Sequence, residues 1–232
     1  MTDPAKPLAL VTGVGPGTGT ATVRRFVDGG YRVAMLARDA SRLEALANEI
    51  PDTIAVPCDV TDQQALARAI ERVGPPKVVV HNAVGGAFGT FEQVEAETLA
   101  RNFEINALAL FHLARLTAPA MVDAGEGVIL VTGNGSSQRG KAAFAGFAPT
   151  KAAQRILAES LARDLGPKGV HVAYLVIDAA IDVPWQRELQ PDKPDDFFIS
   201  PTSIAAELFH LAHQPRDAWS FLAEVRPFHE PW

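Results

Sequence analysis

A glycine-rich turn near the start of the chain has the composition of a phosphate-binding site. The run 8–19 reads LALVTGVGPGTG: an apolar stretch, a turn, and then a segment with helical spacing. Glycines in such a turn permit positive φ and let backbone N–H groups approach a phosphate, and the following helix directs its positive dipole end there. A loop without a ligand is the alternative, but the strand before and the helix after favour a nucleotide. The residues expected to hold its phosphates are Thr12, Gly13, Gly15, Gly17, Thr18 and Gly19.

The elements that must position this turn alternate along the whole chain. Short apolar runs predict strands, and segments with helical spacing follow them without an internal repeat. Ser41 and Thr61 are expected to cap the second and third helices. The pattern predicts an α/β fold, a Rossmann-like doubly wound parallel sheet, as one domain over residues 1–232, with ligands at the carboxyl ends of the strands. Strands are expected at 8–11, 31–37, 53–58, 77–81, 127–132, 170–177 and 221–225, and helices at 18–28, 41–49, 61–73, 96–122, 149–165 and 204–213.

The composition narrows the class of protein. The chain has 232 residues, of which 47% are hydrophobic and 21% charged, which is ordinary for a globular domain. A net charge of -6 argues against nucleic acid as the main partner. Cys58 is the single cysteine, so an internal disulfide and a cysteine-based zinc site are excluded, and a reducing cytoplasm is expected. No metal site is predicted. We also expect no membrane-spanning run and no signal peptide at the start.

Several motifs, in order along nearly the whole chain, resemble those of the short-chain dehydrogenase/reductase (SDR) family. The spacing Thr12-Gly13-x-x-x-Gly17-x-Gly19 matches the TGxxxGxG turn that binds its coenzyme. The resemblance implies that Asp59 and Val60 contact the adenine and that Asn82 and Ala83 belong to the NNAG element. It also implies that Asn106 is the structural and catalytic asparagine of the long helix, and that Lys151 is the lysine of the YxxxK signature.

The end of the second strand bears on the choice between the two nicotinamide coenzymes. A carboxylate there would bind the ribose 2′-hydroxyl of NAD, whereas a cation would accept the 2′-phosphate of NADP. The sequence has Arg38, followed by Asp39. Since a guanidinium forms charge-assisted bonds to phosphate oxygens, we predict that Arg38 binds NADP, with NAD as the alternative. The alternative is that Arg38 has no role in binding and is a surface arginine paired to Asp39 or Glu44.

The catalytic positions depart from the SDR pattern. In that family a tyrosine four residues before the lysine supplies the proton and an upstream serine holds the substrate carbonyl. Here Phe147 stands at the tyrosine position and Asn134 at the serine position, while Asn106 and Lys151 remain. Phenylalanine has no proton to give, so an ordinary carbonyl reductase with the usual triad is excluded. Ser136 is a candidate replacement acid, although hydrogen bonding within the turn is the commoner use of such a serine.

The loop after the sixth strand also differs from the family. Its Pro-Gly-Val/Ile-Thr element holds the nicotinamide carboxamide, and this chain has Asp178 at the start of the loop and Ile181 within it. We place both at the coenzyme site, Ile181 through its backbone. Asp178 either binds loop backbone or takes part in acid–base chemistry. The aromatic and proline-rich stretch 183–200 is predicted to be a substrate lid with an apolar edge.

Two functions are therefore open. The first is an SDR-type NAD(P)-dependent oxidoreductase that transfers hydride between NADP(H) and an unidentified carbonyl or alcohol substrate, with a non-standard proton donor. The second is an SDR-like coenzyme-binding protein with little or no catalysis, acting as a sensor or partner. Apolar positions in excess of one buried face on helices 96–122 and 149–165, together with the resemblance, imply a homodimer or homotetramer.

Overall fold

A parallel sheet of seven strands forms the centre of the computed structural model, which describes residues 5–229. The strand order is β3-β2-β1-β4-β5-β6-β9, so the direction of winding reverses between β1 and β4, and every neighbouring pair is parallel. The predicted fold class is confirmed. The strands are β1 (Leu8–Thr12), β2 (Arg32–Ala37), β3 (Thr53–Pro57), β4 (Val78–His81), β5 (Gly127–Asn134), β6 (Val170–Ile177) and β9 (Leu222–Val225), and the small separate pair is β7 (Ala180–Ile181) with β8 (Phe198–Ile199).

Helices cover both faces of the sheet and bury an apolar core on each. Phe26 and Leu208 belong to the core on one face, and Leu66 and Leu113 belong to the core on the other. Because both faces are covered, the central strands read as continuous apolar runs. The helices are α1 (Thr18–Asp28), α2 (Ala40–Glu49), α3 (Gln63–Val73), α4 (Ala96–Phe103), α5 (Ala109–Ala124), α6 (Ala148–Leu165), α7 (Pro184–Leu189) and α8 (Pro201–Ala212).

Both predicted helix caps are wrong by one or two residues. Asp39, not Ser41, caps α2, because its carboxylate accepts the Arg42 N–H at 3.0 Å. Asp62, not Thr61, caps α3 through the N–H groups of the next turn. In both cases a carboxylate within two residues of the predicted hydroxyl accepts the free N–H groups instead. The expectation about a signal peptide concerns in part residues 1–4, which lie outside the described residues.

The predicted helix 96–122 contains a wider turn in its middle. Residues Glu104–Leu108 form a π-helical segment between α4 and α5. The whole helix, Ala96–Ala124, is long and apolar enough to cross a membrane by length and composition, so the expectation that no such run exists is wrong. Its apolar residues pack against the sheet on one side, and core helices pass the same test, which makes it weak support for a membrane span.

Candidate functional site

A cleft of about 490 Å³ opens at the carboxyl ends of the strands, beside the glycine-rich turn. The turn packs tightly against the neighbouring loop: a Cβ on Gly13, whose φ is +69°, would lie 2.5 Å from the backbone nitrogen of Ala83. A Cβ on Gly19 would lie 2.5 Å from the carbonyl oxygen of Gly13. On Gly15, in contrast, it would meet nothing within 4 Å. Glycine is thus required on the packed side of the turn, while the other side is open.

The start of α1 lies at this cleft and carries an unsatisfied donor. Thr18 lines the cleft and is only 7% exposed, yet among the described residues its hydroxyl has no hydrogen-bond partner. Within the same residues, no side chain caps the N-terminus of α1 and no acidic side chain lies in its first turn. Buried polar groups are normally paired, and the first N–H groups of a helix need acceptors. The residues present therefore fit a pyrophosphate group.

Three arginines and two aspartates line the opposite end of the cleft. Arg38 is exposed and makes no ion pair within residues 5–229, whereas Arg42 binds Asp39 at 2.9 Å. Among the described residues, Asp39 therefore pairs with Arg42 rather than with Arg38. Asp59 accepts the N–H and hydroxyl of Thr61, and Arg101 binds its other oxygen at 3.0 Å. These bonds lower the pKa of Asp59, although burial opposes them.

A polar network joins the glycine turn to the next strands. The Thr12 hydroxyl accepts the N–H of Asn82 at 3.2 Å and lies 3.1 Å from Nδ1 of His81. The Asn82 side chain donates to the Gly13 carbonyl at 2.9 Å and accepts the Thr132 hydroxyl at 3.1 Å. Because His81 is buried, its pKa falls to about 3 and its ring is neutral. Asn82 thus fixes the wall of the cleft by bonding to the chain itself.

Lys151 extends this network away from the cleft. Its ammonium donates to the Thr132 carbonyl at 2.9 Å and to Oε1 of Gln154 at 2.6 Å. The side chain is 3% exposed and does not line the cleft, and burial lowers its pKa to about 7. The resemblance led us to expect it at the coenzyme ribose. Two buried acceptors hold it inward instead in this conformation.

Asn106 lies in the π-helical segment and ties three elements together. Its side chain accepts the N–H of Gly85 at 3.0 Å and donates to the Gly85 carbonyl and the Thr150 hydroxyl, each at 2.8 Å. Its backbone carbonyl accepts Nε2 of Gln154 at 2.8 Å. A wider turn breaks the regular backbone pairing of a helix, and such turns often occur at functional sites. Gln154 therefore bridges Lys151 to the turn that contains Asn106.

The residues at the other expected catalytic positions lie in different surroundings. Phe147, buried at 6% exposure, packs against Phe88 with ring centroids 6.0 Å apart. Asn134 ends β5, and its buried Oδ1 has no partner among the described residues. Ser136 faces a separate cavity of about 420 Å³ lined also by Arg139. It does not line the coenzyme cleft, because a short 3₁₀ turn at Gly135–Ser137 diverts the chain after β5.

The loop after β6 contributes one of its two predicted residues. Ile181 lines the cleft, together with Val183 and Trp185. Asp178 does not; both of its oxygens accept Nη2 of Arg139, at 2.8 and 3.0 Å. In this structure Asp178 is therefore held by the Arg139 side chain rather than by loop backbone, and its predicted place at the coenzyme stays a prediction.

Three polar residues of this region were not predicted from the sequence: Gln154, Thr150 and Arg101. Gln154 follows Lys151 by three residues, so helical spacing alone puts the two side chains on one face. Arg101 stands on α4, whose approach to Asp59 depends on the tertiary packing. Among residues 5–229, no three His, Cys, Asp or Glu side chains gather into a possible metal site.

Comparison with known proteins finds a family whose model matches this chain. The model of the short chain dehydrogenase family matches residues 7–193. D-erythrulose reductase from Gallus gallus is 34% identical over 165 residues, which cover 71% of this chain and 67% of the relative. Two solved structures are each 26% identical. A metagenomic short-chain oxidoreductase in complex with NADP has a TM-score of 0.82 over 95% of this chain and 97% of its own. An alcohol dehydrogenase from the archaeon Thermococcus sibiricus, complexed with 5-hydroxy-NADP, has a TM-score of 0.84 over 97% and 98%.

Proposed function

The chain belongs to the short-chain dehydrogenase family, and from that premise we propose that it is an NADP(H)-dependent oxidoreductase acting on a carbonyl or alcohol substrate. The observation that carries the proposal is the glycine cradle together with Thr18, a lining residue of the cleft whose buried hydroxyl has no partner among the described residues. A bound pyrophosphate would accept this donor and the first N–H groups of α1. Thr12, Gly13, Gly15, Gly17, Thr18 and Gly19 form this part of the proposed site.

We assign the other end of the cleft to the adenosine half of the coenzyme. Arg38 is exposed there without an ion pair among the described residues, so it can bind a 2′-phosphate without losing another partner. Asp59 and Val60 face the adenine, and Asn82, Ala83 and Ile181 line the path towards the nicotinamide. The NADP ligands named for the two solved structures support NADP over NAD.

The coenzyme, when bound, supplies or accepts a hydride, and the chain must handle the proton. We place Phe147 at the position of the family's tyrosine and Asn134 at that of its serine. Asn134 can polarise a substrate carbonyl through its amide N–H, as a serine hydroxyl would. Lys151 and Asn106 complete the set. Because Lys151 bonds inward to Thr132 and Gln154, the proton donor to substrate is a relocated group or water.

A second candidate function is a coenzyme-binding protein with little or no catalysis. The observation that favours it is the inward position of Lys151, which bonds to Thr132 and Gln154 and does not line the cleft. Loss of a general acid typically lowers a rate by about 10² to 10⁴ and leaves coenzyme binding intact. The two candidates differ in turnover, not in their cleft.

We further propose that the protein is a homodimer or homotetramer of the cytoplasm, and that residues 183–200 close over the substrate as a lid. Leu108, Phe111 and Ile156 are exposed apolar side chains on the long helix and α6, at 49%, 38% and 54%. An exposed apolar face of this kind is typical of an interface between subunits.

The proposal is tested by titrating the protein with NADPH and with NADH, followed by intrinsic fluorescence. We expect NADPH to bind more tightly by roughly one to two orders of magnitude, since a hydrogen bond to a charged group contributes about 1.5 to 3 kcal/mol. Arg38→Ala should remove the difference. Arg163→Ala, which removes an exposed arginine paired to Glu159, is the matched control. Equal affinities in the unmutated protein would contradict the assignment of NADP.

A further inference from the structure

Three phenylalanines form an aromatic wall beside the proposed position of the reacting carbonyl. The Phe88 ring meets the Phe144 ring edge-to-face at 5.2 Å and lies 6.0 Å from the Phe147 ring. Phe147 is buried, but Phe88 remains 63% exposed. Large exposed apolar side chains that continue into a buried cluster are typical of ligand-binding surfaces. Phe88 is thus the exposed ring of the wall, and the Phe144 and Phe147 rings support it from behind.

The backbone that carries this wall is held firmly on both sides. Gly89 donates its N–H to the Ala143 carbonyl at 2.8 Å and accepts the Ala145 N–H at 3.2 Å, so the two loops pair next to the rings. Asn102 donates to the Gly146 carbonyl at 2.8 Å, and Asn106 holds Gly85 through both its backbone groups. Phe88 is therefore exposed on a fixed loop, in a position set by buried hydrogen bonds.

The loop that carries Phe88 also borders the coenzyme cleft at its start. The same loop begins at Asn82 and Ala83, and Val84, which lines the cleft, is 60% exposed. Trp185 of α7 also lines the cleft and is 52% exposed. None of these side chains carries a charge or a hydroxyl, and the indole N–H of Trp185 is their one polar group, so they offer few partners to the hydroxyl groups of a polyol.

We propose that the substrate site takes an aryl ketone or the matching aryl carbinol, with its aromatic ring seated on Phe88. The inference rests on the proposed function for the place of the reacting carbonyl. Aromatic rings pair favourably edge-to-face or offset, and the exposed face of Phe88 offers such a partner. A ketose would instead set its hydroxyl groups against the exposed Phe88 ring, which offers them no hydrogen-bond partner. The site thus differs in substrate class from the ketose named for the Gallus gallus relative.

The experiment measures binding without turnover. The protein is saturated with NADP⁺, which cannot donate a hydride, and titrated calorimetrically with 2-acetylnaphthalene and, separately, with D-erythrulose. We expect the aryl ketone to bind at least tenfold more tightly, and Phe88→Ala to weaken its binding roughly tenfold, as the loss of an aromatic contact predicts. Phe91→Ala is the matched control, because Phe91 lies on the same loop, is 81% exposed and makes no ring contact among the described residues.

Three results would overturn the inference: equal or tighter binding of D-erythrulose, unchanged aryl ketone affinity in Phe88→Ala, or the same loss in Phe91→Ala. The mass of each variant is measured by light scattering. If Phe88→Ala dissociates the protein while aryl ketone binding is retained, the wall serves a subunit contact and the inference is wrong. Where NADP⁺ itself does not bind, the proposed function fails. The two ketones are then compared on the coenzyme-free protein, and the same criteria decide the inference.

Discussion

Replacing Lys151 by methionine should change how stability depends on pH. The side chain is fully enclosed, donates to the Thr132 carbonyl and to Gln154, and has a pKa lowered to about 7 from 10.5 by burial. Between these two pH values the unfolded chain keeps its proton and the folded chain releases it. The unfolded state thus binds more protons, so the free energy of unfolding rises as the pH increases from 7 towards 10.5.

The size of this change in stability follows from the interval between the folded and unfolded pKa values of Lys151. A full proton difference gives a slope of about 1.4 kcal/mol per pH unit, so Lys151 should contribute a rise of about 2 kcal/mol between pH 7.5 and 9.5. Lys151→Met removes the titrating group and should remove this rise, while other groups contribute equally to both proteins. Urea unfolding at several pH values measures the free energies. Lys168→Met is the control, because Lys168 pairs with Asp164 on the surface.

Gln154→Glu provides an independent arm of the same test. It places a carboxylate where Oε1 now lies, 2.6 Å from the ammonium. An opposite charge this close raises a lysine pKa by about 1 to 3 units, so the slope between pH 7.5 and 9.5 should flatten while Lys151 stays in place. If the unmutated protein, Lys151→Met and Gln154→Glu all give parallel curves, Lys151 is not a buried titrating group and the account of its surroundings is wrong.

Two further changes test the cleft and the association. Thr18→Val should weaken NADPH binding roughly tenfold or more, since a hydrogen bond to a charged group is lost, without lowering the stability of the coenzyme-free protein. Unchanged NADPH affinity would remove Thr18 from the phosphate site. Ile156→Glu should lower the mass measured by light scattering to that of a monomer, whereas Leu222→Glu, at another exposed apolar residue on β9, should leave the mass unchanged. A monomeric unmutated protein, or an oligomer that persists in Ile156→Glu, would contradict the predicted association.

The sheet and the glycine turn could be predicted because local patterns determine them. Buried parallel strands read as apolar runs, and α1 begins at Thr18 as expected from the turn before it. The capping residue of a helix is harder to predict, because a carboxylate and a hydroxyl both make good caps. Asp39 and Asp62 each lie within two residues of the predicted cap, and only the backbone geometry decides which one is used.

The helical spacing around Lys151 could be predicted from the sequence, but the direction of its side chain could not. Sequence spacing placed Lys151 one helical turn after Phe147, and the structure keeps that arrangement. It could not show that Lys151 turns inward, since this depends on Gln154 and on the carbonyl of Thr132 from a distant strand. Asp178 likewise binds Arg139, which lies 39 residues away in the sequence. Long side chains bind partners that the fold brings together, so their orientation cannot be predicted from the local sequence.

The most direct test of the account is the rate of NADPH oxidation by Phe147→Tyr. If Phe147 fills the place of a proton donor in an otherwise complete cleft, the added hydroxyl should restore the missing acid. The fit should cause little strain, because one oxygen is added to a ring of the same shape. We predict a rise of about 10² or more in ketone reduction. The control, Phe144→Tyr, puts a hydroxyl on another ring of the same wall and should leave the rate unchanged. No rise in Phe147→Tyr while NADPH still binds tightly, or an equal rise in Phe144→Tyr, would contradict the central claim.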